Sequence, residues 1–212
     1  MPDVGDQMSV KTHALLTPDI WNLISDYVKL LLEWNKRINL IGRSTEEKIW
    51  HRHILDSVQL TKYLTDTNAR IVDLGSGAGL PGAVLALCGY RNVTLVEKNA
   101  KKATFLRNVS RETSIPFQVI EKDIKDVQDK YDVVISRGLT DLSTLLELSY
   151  PLLVQGGQCL FLKGERIDDE IIRAISNWKM TMTKKESITN PRASLLLIAN
   201  LERAQEKNEE SS

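Results

Sequence analysis

RIVDLGSGAGLPG, residues 70–82, is the stretch that decides the fold. An apolar run, RIVDL, has the length and composition of a buried strand, and it passes without a spacer into a glycine-rich turn. Glycines at 75, 77 and 79 permit a tight turn and let bare backbone approach a ligand where side chains would block it. Pro81 suits the first position of a helix. Strand, turn and helix in that order form the ligand-binding junction of an open α/β sheet.

Outward from this junction, short apolar runs alternate with amphipathic stretches, as in a parallel sheet covered by helices. Strands are predicted at residues 70–74, 93–97, 117–120, 132–136 and 158–163. Two more, at 180–186 and 194–201, have no long helix between them and read as an antiparallel hairpin. On the other side of the junction the pattern is helical. Thr17 and Pro18 start a helix whose apolar face is Ile20, Leu23, Ile24, Tyr27, Val28, Leu31 and Trp34. Ser44 and Glu47 have capping-box spacing before a second helix with Ile49, Trp50, Ile54, Val58 and Leu64 on its buried side. The expected organisation is a flexible N-terminus at 1–16, a helical cap at 17–66, one α/β domain at 67–201 and a flexible tail at 202–212.

Two cofactors compete for the turn. Gly77, Gly79 and Gly82 satisfy the dinucleotide pattern GxGxxG, with Glu97 twenty positions beyond Gly77. The first tight turn after the strand, however, uses Gly75, and counted from there the spacing is GxGxG, preceded by Asp73 at the strand end. A methyl donor has no pyrophosphate to seat on a helix N-terminus, and an acidic strand end favours its cationic amino group. Glu97, at the end of the second strand, is placed to grip the two hydroxyls of a ribose. The offset and the final hairpin favour S-adenosylmethionine over a dinucleotide.

The chain has 212 residues, 42% of them hydrophobic and 26% charged, which suits one folded unit with a full core. The first ten residues carry no basic segment followed by an apolar stretch, and no run is long enough to cross a bilayer, so a cytoplasmic protein without a membrane partner is expected. Two cysteines, Cys88 and Cys159, are too few for a disulfide framework or a metal knuckle. Basic and acidic residues balance at 28 each, so any polyanion must be held by a local patch. Lys98, Lys101, Lys102, Arg107 and Arg111 form one candidate, with a solvated helix face as the alternative.

Several separated motifs together resemble one family, the small-subunit ribosomal RNA guanine-N7 methyltransferases, also called glucose-inhibited division protein B. They are EWNKRINLIG at 33–42, RHILDS at 52–57, DLGSGAGLPG at 73–82, KKATFLRNV at 101–109, VISRGL at 134–139 and LKGE at 162–165. The resemblance spans roughly residues 30–201. It implies a Rossmann-like class I S-adenosylmethionine-dependent methyltransferase: a seven-stranded, mostly parallel α/β sheet with an N-terminal helical extension. It also implies methyl transfer to N7 of a specific guanine in 16S ribosomal RNA. By resemblance, Gly75 and Leu80 contact the cofactor, Glu97 sits at the ribose, Ile124 and Lys125 border the adenine, and Arg137 lies at the active-site end of the fourth strand. At 123–125 this chain has Asp-Ile-Lys where many relatives have Arg-Ala-Glu, and Gly138 replaces the usual Ala.

The chemistry agrees with what the sequence lacks. Guanine N7 carries an available lone pair, so no base is needed and no catalytic triad, metal cluster or acid–base pair is required. The cofactor-binding candidates are Asp73, Gly75, Gly77, Gly79, Glu97 and Arg137, with Leu80, Ile124 and Lys125 added by the resemblance; Arg137 is also the catalytic candidate and no metal is expected. Asn39 and Asp56 either serve the site or brace the cap. His51 and His53 point to different sides of a helix and read as surface or core residues. Trp50 and Trp178 are either stacking platforms or core. The expected partner is small-subunit ribosomal RNA within a ribosomal particle. A small-molecule methyltransferase and a nucleotide-binding or NAD-dependent protein remain the alternatives.

Overall fold

The structure, a computed structural model, describes residues 16–204. Thr17 caps the first helix, α1 (Pro18–Asn35), its hydroxyl accepting from the Ile20 amide at 3.4 Å. The three-and-four spacing buries Ile24, Tyr27, Val28 and Leu31 on one face. Asn35, the last helical residue, folds the chain back. Its side-chain oxygen accepts from the amides of Leu40 (2.7 Å) and Ile41 (3.0 Å), and its amide donates to the Ile41 carbonyl and to Glu46. Asn39 itself is exposed, so the bracing asparagine of EWNKRINLIG is Asn35.

The expected second helix is not regular. It runs as a 3-10 segment (Arg43–Lys48), a π-helical turn (Trp50–Leu55), a short α turn (Asp56–Val58) and a closing 3-10 turn (Gln59–Lys62). The Ser44–Glu47 capping box does not form. Gly42 occupies the cap position without a side-chain bond, and Thr45 instead donates its hydroxyl to the Gly42 carbonyl at 2.7 Å. The π-helical turn changes the phase of this segment next to the site, a common location for such turns. Trp21 and Trp50 stack at 4.2 Å across the two cap elements.

The seven strands are β1 (Arg70–Leu74), β2 (Asn92–Val96), β3 (Gln118–Ile120), β4 (Tyr131–Arg137), β5 (Leu153–Lys163), β6 (Trp178–Glu186) and β7 (Ser194–Arg203). They form one sheet in the order β3-β2-β1-β4-β5-β7-β6. The first five are parallel, while β7 runs antiparallel between β5 and β6. This is the sheet and terminal hairpin expected from the sequence. Strand β7 continues past Leu201 to Arg203, so residues 202 and 203 belong to the sheet, and the Ala204 amide bonds to the Asn177 carbonyl. The remaining tail and residues 1–15 lie outside the described residues.

Both sheet faces are covered, as a parallel sheet requires. Ile71, Leu95 and Ile135 face α1, α2 (Gly82–Leu87) and α3 (Ala100–Thr113). Val72, Leu74, Val96 and Val134 face α4 (Leu142–Ser149) and α5 (Ile167–Ala174). Trp178 is buried in this second cluster. Strand β1 has β2 on one side and β4 on the other, so connections leave it in opposite directions and open a crevice at its carboxyl end.

The helix after the turn begins at Gly82, one residue beyond Pro81, because the close approach falls there. A Cβ on Gly82 would lie 2.8 Å from Cβ and Oδ2 of Asp73 and would strike Leu95. Gly82→Ala is therefore expected to destabilise the fold by about 1–3 kcal/mol through overpacking. Thermal denaturation should show a midpoint about 2–4 °C lower per kcal/mol; an unchanged midpoint would refute the close packing of α2 on β1.

Candidate methyl-donor and acceptor site

The glycine turn is held from three sides. The amides of Gly75 and Ser76 both donate to the Val96 carbonyl at 3.0 Å, which fixes the turn against β2. Gly75, Gly77 and Gly79 all have positive φ, at 69°, 56° and 88°. Such a run turns successive backbone amides toward one concavity. From the cap, the buried Tyr27 hydroxyl donates to the Ala78 carbonyl at 2.7 Å, and burial pushes its pKa far above the ordinary range. Leu80 is buried, its amide bonded to the Ser76 carbonyl.

Glu97 follows β2 directly and returns to the turn. One carboxylate oxygen accepts from the Gly77 amide at 2.9 Å and the other from the Asn99 amide at 2.8 Å. Each oxygen keeps acceptor capacity for a further donor such as a ribose hydroxyl. Asp73 lies beneath, fully buried, with Oδ2 accepting from the Gly82 amide at 3.0 Å. Its Oδ1 is the one buried side-chain atom without a partner among the described residues. Burial raises the Asp73 pKa to about 7, against the lowering effects of the Gly82 and Ser76 hydrogen bonds and of Arg137.

These features fit a cationic nucleoside cofactor. Bare glycine backbone admits it, a carboxylate stands where ribose hydroxyls would be, and a poorly compensated buried acid favours positive charge above it. Leu139 was missed by the sequence reading: its side chain packs on Gly75 and roofs the start of the turn. Ile124 and Lys125 occupy a 3-10 turn (Ile124–Asp126) capped by Asp123, which accepts from the Lys125 amide at 3.2 Å. Ile124 packs on the core and Lys125 is exposed. Asp123 reaches Lys98, just past Glu97, at 3.8 Å, so the segment stands next to the Glu97 end of the site.

Arg137 ends β4, one strand over from the turn. One Nη1 hydrogen points to the Arg52 carbonyl (3.2 Å), Nη1 makes a long contact with Asp56 Oδ2 (3.5 Å), and Nη2 lies 2.8 Å from His53 Nδ1. A guanidinium only donates, so His53 Nδ1 accepts, and the ring proton sits on Nε2. From there it reaches Thr45 Oγ1 at 2.8 Å. Burial, with Arg137 and Arg52 adding, lowers the His53 pKa to about 4 and keeps the ring neutral at physiological pH. His53 is thus neither a surface nor a core residue but the partner of Arg137, while His51 is exposed. Among the described residues no metal-binding group of His, Cys, Asp and Glu converges.

Asp56 ties the cap to the far end of the sheet. Its Oδ1 accepts from Gln59 (2.7 Å) and from the hydroxyls of Ser187 and Thr189 in the β6–β7 loop (both 3.0 Å). Beneath, the buried Lys163 of LKGE bonds to Glu170 at 2.6 Å and to the Thr140 carbonyl at 2.7 Å, bracing the loop after Arg137. Arg52, His53, Asp56, Arg137, Lys163 and Ser187 help wall a cavity of about 250 Å³ beside the glycine turn. A larger concavity, about 520 Å³, lies at the opposite ends of β1–β4, lined by Arg70, Arg91 and Lys130, away from these groups.

The basic helix is mostly a solvated face. Lys98, Arg107 and Arg111 pair with Asp123, Glu121 and Glu112, which leaves Lys101 and Lys102 as its unpaired cations among the described residues. Exposed pairs of this kind contribute little to stability.

Comparisons with known proteins agree with this architecture. The sequence model of one family, rRNA small subunit methyltransferase G (GidB), matches residues 20–197. The chain is 44% identical to a ribosomal RNA small subunit methyltransferase G of Paramagnetospirillum magneticum, over 84% of this chain and 87% of that one. It is 41% identical to the protein of that name from Cereibacter sphaeroides, over 92% and 98%. Among solved structures, a ribosomal protein L11 methylase from Lactobacillus delbrueckii matches with a TM-score of 0.54 at 16% identity, covering 71% of this chain and 77% of the other. M. jannaschii TYW2 in complex with AdoMet matches with a TM-score of 0.51 at 19% identity, over 70% and 77%. At such identities these structures show the fold, that of class I methyltransferases. With a family match across most of its length and relatives above 40% identity, the chain belongs to the rRNA small subunit methyltransferase G family.

Proposed function

We propose that the protein transfers a methyl group from S-adenosylmethionine to N7 of a specific guanine in 16S ribosomal RNA, acting in the cytoplasm on a small-subunit particle. The observation that carries the chemistry is the neighbourhood of Arg137: a fixed guanidinium beside the glycine turn, with a neutral His53 already committed to it. The family match carries the substrate class. Among the described residues no helix is long and apolar enough to cross a membrane.

When bound, S-adenosylmethionine supplies an electrophilic methyl group on a sulfonium. The chain's own residues bind and aim. Gly75, Gly77, Gly79 and Leu80 shape the cofactor seat, Glu97 takes the ribose, Asp73 favours the cationic part, and Ile124 and Lys125 flank the adenine side. Residues 17–66 act as a cap whose Tyr27 and His53 fix the turn and the arginine. N7 has its lone pair available without losing a proton, so positioning supplies most of the acceleration. Arg137 offers donors to the adjacent O6 and holds the base in line. RNA must present the guanine unstacked, since sequence-specific recognition targets splayed bases.

Mapping N7-methylguanine in 16S RNA from cells with and without the gene tests this reading. One modified guanine should vanish with the gene and return with its reintroduction. Purified protein should methylate small-subunit particles faster than naked RNA; an RNA whose modification pattern does not change would refute the assignment.

A further inference from the structure

Resting on the guanine reading, we propose that the cavity beside Arg137 receives the target base and that Asp56 determines specificity by reading its Watson–Crick edge. The cavity is bounded by Arg52, His53, Asp56, Arg137, Lys163 and Asn190. It stands over β4, β5 and β7, whereas the glycine turn and Glu97 stand over β1 and β2. Adjacent strands are about 4.8 Å apart. A purine in the cavity with N7 toward the turn therefore directs its N1 and N2 positions across the sheet, toward the β7 side. Asp56 is anchored on that side by Ser187 and Thr189.

The two oxygens of Asp56 have different duties. Oδ1 is saturated by Gln59, Ser187 and Thr189, which fixes the plane of the carboxylate. Oδ2 has only the 3.5 Å contact with Arg137, too long for a strong bond, and keeps its acceptor capacity at the cavity wall. Arg137 commits three of its five N–H groups to Arg52, Asp56 and His53, so Nε and one Nη2 hydrogen stay available. A donor pair beside an acceptor matches guanine, whose O6 accepts next to N7 while N1–H and N2–H₂ donate. Adenine would set the N1 lone pair against Oδ2 and an amino group against the guanidinium, both repulsive.

The test uses small-subunit particles carrying either guanosine or inosine at the mapped target, since inosine lacks only the 2-amino group. The wild-type enzyme should favour guanosine by about tenfold in kcat/KM, the scale of one hydrogen bond to a charged acceptor. Asp56→Asn places an amide donor against the base donors. It should lower the guanosine rate about tenfold to a hundredfold and bring the guanosine-to-inosine ratio close to one. Ser187→Ala, which loosens the Oδ1 anchor and its links to Gln59 and Thr189 but leaves Oδ2 in place, should reduce both substrates together and keep the ratio. Equal wild-type rates on the two particles, or a fall in Asp56→Asn that leaves the ratio unchanged, would overturn the assignment. Should Asp56→Asn fail to fold, the wild-type comparison decides alone. A wild-type enzyme that methylates neither particle overturns the guanine reading itself, and this one with it.

Discussion

Arg137→Ala is expected to lower the turnover number on small-subunit particles by about 10²-fold while leaving S-adenosylmethionine binding largely intact. The guanidinium is held by His53 at 2.8 Å and the Arg52 carbonyl at 3.2 Å, both on the cap, so its remaining donors have one direction. Misplacing a reactant by about 1 Å can cost about 10²-fold in rate, and alanine leaves the base with no donor at O6. Arg137→Lys should recover little, because an ammonium lacks the planar fork that engages His53, the cap carbonyl and the base at once. Single-turnover methylation and cofactor titration on the same preparations separate the two quantities. Loss of cofactor affinity equal to the loss of rate would make Arg137 a cofactor ligand instead.

Asp73→Asn is expected to abolish a pH dependence of cofactor affinity and to stabilise the free protein at alkaline pH. Burial raises the Asp73 pKa from 3.8 to about 7, so the folded protein retains a proton there that the unfolded chain gives up. Between pH 3.8 and about 7 the native state binds more protons, and this group's contribution to stability is lost as pH rises through that window. A cation over the turn favours the carboxylate and lowers its pKa. Each unit of that lowering corresponds to about a tenfold gain in affinity at a pH above both values. S-adenosylmethionine should therefore bind the wild-type protein more tightly as pH rises from 6 toward about 7.5, with proton release detectable by titration in buffers of different ionisation enthalpy. The asparagine variant should show a flat profile, weaker binding at pH 7.5 and a higher midpoint of thermal unfolding at pH 8 than the wild type. An identical slope in both proteins would exclude Asp73 from cofactor electrostatics.

The parts of the fold that were legible share one property: their signal is local. RIVDL followed by GSGAGLPG is a strand, turn and helix because β-strand propensity, positive-φ glycines and a proline act within thirteen residues. The hairpin of β6 and β7 was readable because no helical pattern separates two apolar runs. Local spacing also misled. Ser44 and Glu47 have the separation of a capping box, but Thr45 bonds back to Gly42 and Asn35, on the preceding helix, binds Glu46; the segment forms 3-10 and π-helical turns instead. Asn39 and Asn35 were indistinguishable by type; only the closing of the loop on Leu40 and Ile41 selected Asn35.

The site divides along the same line. The glycine turn, Asp73 and the strand-end Glu97 follow from residue order, because strand ends and the turns after them are fixed once the strands are placed, and the Gly77–Glu97 hydrogen bond spans only twenty residues. The surroundings of Arg137 do not. His53 and Asp56 reach it across 84 and 81 residues, and Ser187 and Thr189 reach Asp56 across 131 and 133. A hydrogen bond between groups that far apart leaves no periodicity in the chain. Its existence depends on how the cap, the carboxyl end of β4 and the loop of the final hairpin pack together. For DLGSGAGLPG, local backbone preference determined the turn by itself. The arginine, neutral histidine and carboxylate that wall the cavity beside it became one arrangement only through long-range packing.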